Sequence, residues 1–195
     1  GKKSMTTAII PQLQELIRRR QLPEAEALCR QQIDQSPANG NFYLLLGQIC
    51  QLKCDFDGMG EAAQKVISLN PDNIMGYYQE IDALIHGGKM DQAILKIKLL
   101  ERKAGSDLKT MLQLAEFYTH AGKFQEAYKI YLKAGELRPE DAKIKYNSAT
   151  MAIALGLFEQ AEKLLDQVID LNPHDYDAYY NSATVRKQTQ DENHI

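Results

Sequence analysis

Four side-chain amides recur at one spacing in this sequence: Gln79, Gln113, Asn147 and Asn181 stand 34 residues apart. A carboxamide carries both a donor and an acceptor. A row of them at a fixed interval suits hydrogen bonding to the peptide units of an extended chain, whatever side chains that chain bears. Immediately before them come Tyr78, Leu112, Tyr146 and Tyr180. Tyrosine adds flat apolar area and a hydroxyl at small entropic cost, a common make-up of binding surfaces. Four residues ahead of the amides lie Lys109 and Lys143, with Asp177 in the corresponding place before Asn181. The five-residue word YNSAT, at Tyr146–Thr150 and again at Tyr180–Thr184, shows the same interval.

Other reactive residue types form no constellation. GxxxxGK[ST], GxGxxG, GxSxG and HExxH are all missing. His86 and His120 are 34 apart, but no carboxylate stands in register to make a dyad, and each is expected to cover a helix end. Cys50 and Cys54 lack the two further ligands that a zinc site needs. With Cys29 they make an odd set of three, which points away from a disulfide framework and towards a reducing, cytoplasmic setting. The reading is therefore not an enzyme: catalytic residues none, metal none, cofactors none.

The 195 residues are 44% hydrophobic and 25% charged, with net charge −3, the composition of a soluble globular chain. A nucleic acid or anionic membrane partner calls for a strongly basic face, which this balance does not provide. The tight run Arg18–Arg20 reads as a solvated helix end. No apolar stretch approaches the roughly 20 residues of a membrane span, and no signal-peptide core follows the N-terminus.

The elements that position the amides share the same period. Pro37, Pro71, Pro139 and Pro173 fall on it, with Gly105 at the vacant place. If each marks position 32 of a 34-residue unit, position 8 reads Gly47, Ile81, Ala115, Ala149 and Ala183. Position 20 reads Ala25, Met59, Ala93, Ala127 and Ala161. Small residues at two fixed places let two helices cross closely. Position 15 is Gly88, Gly122 and Gly156 in three units, where a first helix ends. Position 17 (Leu22, Phe56, Met90, Phe124, Phe158) is an apolar plug by the turn. The proline stops the second helix, and the Asp or Asn after it caps the next.

The stretches GKFQEAYKIYLKAGELRP and GLFEQAEKLLDQVIDLNP resemble the tetratricopeptide repeat. The resemblance implies an all-α, right-handed superhelical solenoid whose first helices line a concave face. Five repeats are expected at 6–39, 40–73, 74–107, 108–141 and 142–175. A capping helix at 176–187 and a polar tail or linker at 188–195 come after them, and residues 1–4 read as an expression remnant. Similar asparagine ladders hold peptide backbone in the repeats of O-linked N-acetylglucosamine transferase. The implied function is a protein–protein interaction module that binds an extended peptide segment through Gln79, Gln113, Asn147, Asn181, Tyr78, Tyr146, Tyr180, Lys109 and Lys143. The two-carboxylate clamp of chaperone-binding relatives lacks its closing Lys/Arg pair here. ATVRKQTQDENHI resembles the segment joining such repeats to a sulfotransferase domain in bacterial proteins, which implies a recognition or oligomerisation arm of a larger enzyme as an alternative. A homodimer through Leu44, Leu45 and Leu52 is a third reading.

Overall fold

The computed structural model describes the backbone of residues 2–192 and the side chains of residues 8–192. Gly1, part of the expected remnant, and residues 193–195, with His194 and the end of the expected tail, lie outside the described residues. Among the described residues every regular element is a helix. First helices α1 (Lys2–Arg18), α3 (Gly40–Leu52), α5 (Ile74–His86), α7 (Leu108–His120) and α9 (Ala142–Ala154) alternate with second helices. These are α2 (Leu22–Gln35), α4 (Phe56–Leu69), α6 (Met90–Lys103), α8 (Phe124–Leu137) and α10 (Phe158–Leu171), and α11 (Tyr176–Glu192) ends the series. Every second helix thus begins on position 17.

One turn joins the helices within all five repeats. Position 15 is left-handed at Gly88, Gly122 and Gly156 (φ 76°, 75° and 74°) and equally at Arg20 and Cys54 (φ 60° and 58°). The next residue's N–H then reaches back to the carbonyl of position 11, as in Lys123 N to Tyr118 O at 2.8 Å and Asp55 N to Cys50 O at 2.8 Å. This is the closing bond of a Schellman ending. Position 34 caps each following first helix. Asn39 accepts from Asn41 N, Asn73 from Met75 N, Asp107 from Thr110 N and Asp141 from Lys143 N and Ile144 N; Asp175 accepts from Ala178 N. The Thr110 hydroxyl, with its N–H, holds the Asp107 carboxyl below the usual carboxylate range.

Two helix bounds differ from the sequence reading. The last helix runs through Glu192 rather than ending near Lys187. No Gly or Pro interrupts Gln188–Glu192, and Thr189 Oγ1 donates to Val185 O. The first helix reaches back to Lys2 and contains Pro11. At its other end Arg18 and Arg19 are not merely solvated: both grip Glu15, at 2.6 Å each, and the Arg18 bond pulls its carboxyl down to about 2.

The chain forms two compact units, divided between Lys96 and Ile97 within α6. In the N-terminal unit Leu13, Phe42, Leu45, Ile49, Cys50 and Met59 form the core, packed round by Ile9, Ile10, Leu16 and Ile17. Leu45 is buried there, and Leu44 and Leu52 are half-buried, so these three do not form the exposed dimer face expected of them. In the C-terminal unit Phe117, Tyr118, Ala149, Leu165 and Val168 are fully covered. Position 20 is buried in all five repeats, as close helix crossing requires.

Candidate functional site

The four amides have different fates. Gln79, on α5, is buried, and its Nε2 donates to Leu44 O of α3 at 3.0 Å. The space it fills belongs to Gly47, where a Cβ would lie 2.0 Å from that nitrogen. Gln79 is therefore a packing residue between α3 and α5, not a surface amide, and its Oε1 has no partner among the described residues. Tyr78 beside it is half-buried.

Asn181, on α11, is also engaged: its Nδ2 donates to the Tyr146 hydroxyl of α9 at 2.9 Å. Two members of the duplicated YNSAT words thus hold each other, the amide of one repeat on the phenol of the repeat before. Gln113 on α7 and Asn147 on α9 remain. Both are half-buried, and neither side chain has a hydrogen bond among the described residues. The residue before Asn147's counterpart in the preceding repeat is Leu112, which has no hydroxyl to offer.

Beside Tyr146 lies a cavity of about 750 Å³. Lys143 shares its wall, so two of the candidate residues come together here. Sequence reasoning set Asp177 in register with Lys109 and Lys143 but missed Arg138, Glu140 and Asp175, which with it crowd the starts of α9 and α11. Their signal was positional, since all sit at or next to the proline boundaries. Asp141 and Asp175 are helix caps, their negative charge matched to the positive helix starts. Lys109 is exposed on α7. Tyr180 is 73% exposed on α11, and Tyr176 is 79% exposed one turn earlier.

The N-terminal unit has a cavity of about 440 Å³ lined in part by Phe56, Gly60, Glu80 and Lys96. Glu80 is buried there and pairs with Lys96 Nζ at 3.2 Å. His86 stacks on Phe56 at 5.5 Å, and its Nδ1 donates to Asp82 O at 2.8 Å, covering the end of α5. Cys29 Sγ donates to Phe42 O at 3.1 Å, and burial pushes its thiol up to about 11. Burial raises the Cys50 thiol in the same way, while Cys54 is exposed in the turn. No group of three or more His, Cys, Asp or Glu among the described residues is placed to hold a metal ion. No helix among them is long and apolar enough to cross a membrane.

Comparison with known proteins agrees with this architecture. Residues 118–188 match the family model described as "Tetratricopeptide repeat". Of the curated proteins, none matches significantly. Solved structures with the same fold include MamA residues 41 to the end from Desulfovibrio magneticus RS-1, at TM-score 0.70 and 18% identity over 90% of this chain and 98% of that one. A tetratricopeptide repeat protein from Parabacteroides merdae ATCC 43184 superposes at TM-score 0.75, with 15% identity over 94% of this chain and 73% of that one. YrrB, described as a TPR protein with an unusual peptide-binding site, does so at 0.64, with 18% identity over 86% and 87%. Residues 118–188 thus match the tetratricopeptide repeat by sequence, and the helices on either side share the fold of these solved structures.

Proposed function

We propose that this chain is a protein-interaction module that holds an extended peptide segment against the first helices of its C-terminal unit, with Gln113 and Asn147 hydrogen-bonding the segment's backbone. The observation that carries the reading is that these two amides, one repeat apart, have no hydrogen-bond partner among the described residues. Neither amide is among the buried unsatisfied groups, so both reach solvent, where a passing peptide unit can meet donor and acceptor together. A peptide-binding site is known for YrrB by its description, and that likeness supports the reading.

Magnitude divides the labour. Two hydrogen bonds at about 0.5–1.5 kcal/mol each give about 1–3 kcal/mol, whereas micromolar affinity needs about 8. The remainder must come from side chains. The cavity beside Tyr146 and Lys143 lies within the ~300–1,000 Å³ typical of ligand pockets. Tyr146 enters it already held by Asn181, so ordering that ring costs little more on binding.

Peptides selected from a random display library on the intact chain provide the probe. Calorimetric titration of a selected peptide should show roughly tenfold weaker binding to a Gln113→Ala/Asn147→Ala variant, with unchanged circular dichroism. Unchanged affinity in that variant would remove the amides from the site.

A further inference from the structure

The third repeat breaks the proline pattern, and the structure shows what the break leaves behind. Where the other four boundaries carry Pro, α6 is followed by Ala104, Gly105 and Ser106. A Cβ on Gly105 would meet nothing closer than Asp107 Oδ1 at 4.0 Å. A cavity of about 260 Å³ opens here between the end of α6, α7 and α8. Met111, Leu114 and Ile130 line it; the first two are buried core residues. Met111 and Leu114 leave α7 on the side turned away from Gln113, at 100° per residue, so this cavity is separate from the proposed peptide contacts.

Two cations and one carboxylate line it. Lys129 and Lys133 stand one turn apart on α8, both line the cavity, and neither has an ion pair among the described residues. The single carboxylate in the wall, Glu101, is already occupied: the buried Tyr118 hydroxyl donates to its Oε2. Burial, with that bond, keeps the Tyr118 phenol protonated well above its ordinary range, so it stays a donor to Glu101.

We infer that this cavity is a binding site for a short aliphatic carboxylate, its tail on Met111, Leu114 and Ile130 and its carboxylate between Lys129 and Lys133. An apolar floor without a cationic rim would take an alcohol as well, and the two lysines disfavour an amine. The volume is below the ~300–1,000 Å³ of drug-sized pockets, which restricts the tail to a small one.

Octanoate, octanol and octylamine serve as probes, titrated into the intact chain carrying ¹³C-methyl methionine. Octanoate should bind saturably and shift the Met111 methyl while leaving Met75, which is exposed on α5, in place. Octanol and octylamine should bind about tenfold more weakly or worse, and Lys129→Gln/Lys133→Gln should weaken octanoate by a similar factor. Gly105→Leu should fill the cavity and block binding. Both lysines are exposed, so the double variant stays informative even if Gly105→Leu folds poorly. No saturable octanoate binding, equal binding of octanol, or unchanged affinity in the lysine variant each overturns the assignment.

Discussion

At Gln79 the identity of one residue is decided by another 32 positions earlier. Gly47 leaves a space on α3 that the Gln79 carboxamide enters to reach Leu44 O. Asn181, one methylene shorter and paired in register with Ala149, turns to Tyr146 instead. A double-mutant cycle tests the first pairing. Gly47→Ala and Gln79→Ala should each cost about 1–3 kcal/mol, by overpacking and by emptying the space over Gly47 with loss of the bond to Leu44 O respectively. Together they should cost less than the sum by about 1 kcal/mol or more in urea unfolding. Strict additivity would separate the two residues. The turn residues allow a second test in the stabilising direction. Arg20 and Cys54 hold the left-handed conformation that costs an L-residue roughly 1–2 kcal/mol. Replacing either by glycine returns about 0.4–1 kcal/mol of that to the unfolded chain's freedom, so Arg20→Gly and Cys54→Gly should each raise stability by about 0.5–1 kcal/mol. Gly122→Ala should lower it by a similar amount.

Between elements, what the sequence discloses depends on how local the cause is. Helix starts and stops were legible because caps, prolines and position-15 glycines act on their immediate neighbours, as at Asp141 and Gly122. The left-handed turn at Arg20 and Cys54 was not, since there the packing of two helices imposes the conformation without a glycine to announce it. The amide register was legible as a pattern, but burial of Gln79 and the Asn181–Tyr146 bond depend on partners more than thirty residues away. The burial of Leu45 is of the same kind: its neighbours across the core come from other helices. One inter-element tie has a pH signature. Glu26 of α2 accepts from Lys53 Nζ at 2.6 Å, at the end of α3, and that bond first, then Arg30, holds its carboxyl below the ordinary range. A depressed carboxylate stabilises the fold above its unfolded pKa, and the contribution disappears as pH falls through the folded value. Wild type and Glu26→Gln should therefore differ in stability near neutrality and converge in acid. The matching loss at the other extreme comes as pH rises through the raised pKa of Lys53. Parallel curves for the two proteins across the acid range would discard the tie.

Across the whole chain, stability in a repeat protein is carried by each repeat and its contacts with the next. The five caps at Asn39, Asn73, Asp107, Asp141 and Asp175 keep one spacing throughout. That spacing makes the gene divisible. Excising residues 142–175 splices Asp141 directly onto Tyr176, in the place Asp175 now holds, so the final helix keeps its cap and its packed face of Ala178, Ser182 and Val185. The shortened chain should still unfold cooperatively by circular dichroism, at a lower urea midpoint. Excising residues 152–183 instead joins Met151 to Thr184 and rotates the rest of that helix by two residues, about 200°, carrying Val185 out to solvent. That chain should lose cooperative unfolding. The ruler at which this protein can be cut and rejoined is thus its own cap-to-cap interval, and lengths that are not multiples of it leave a helix facing the wrong way.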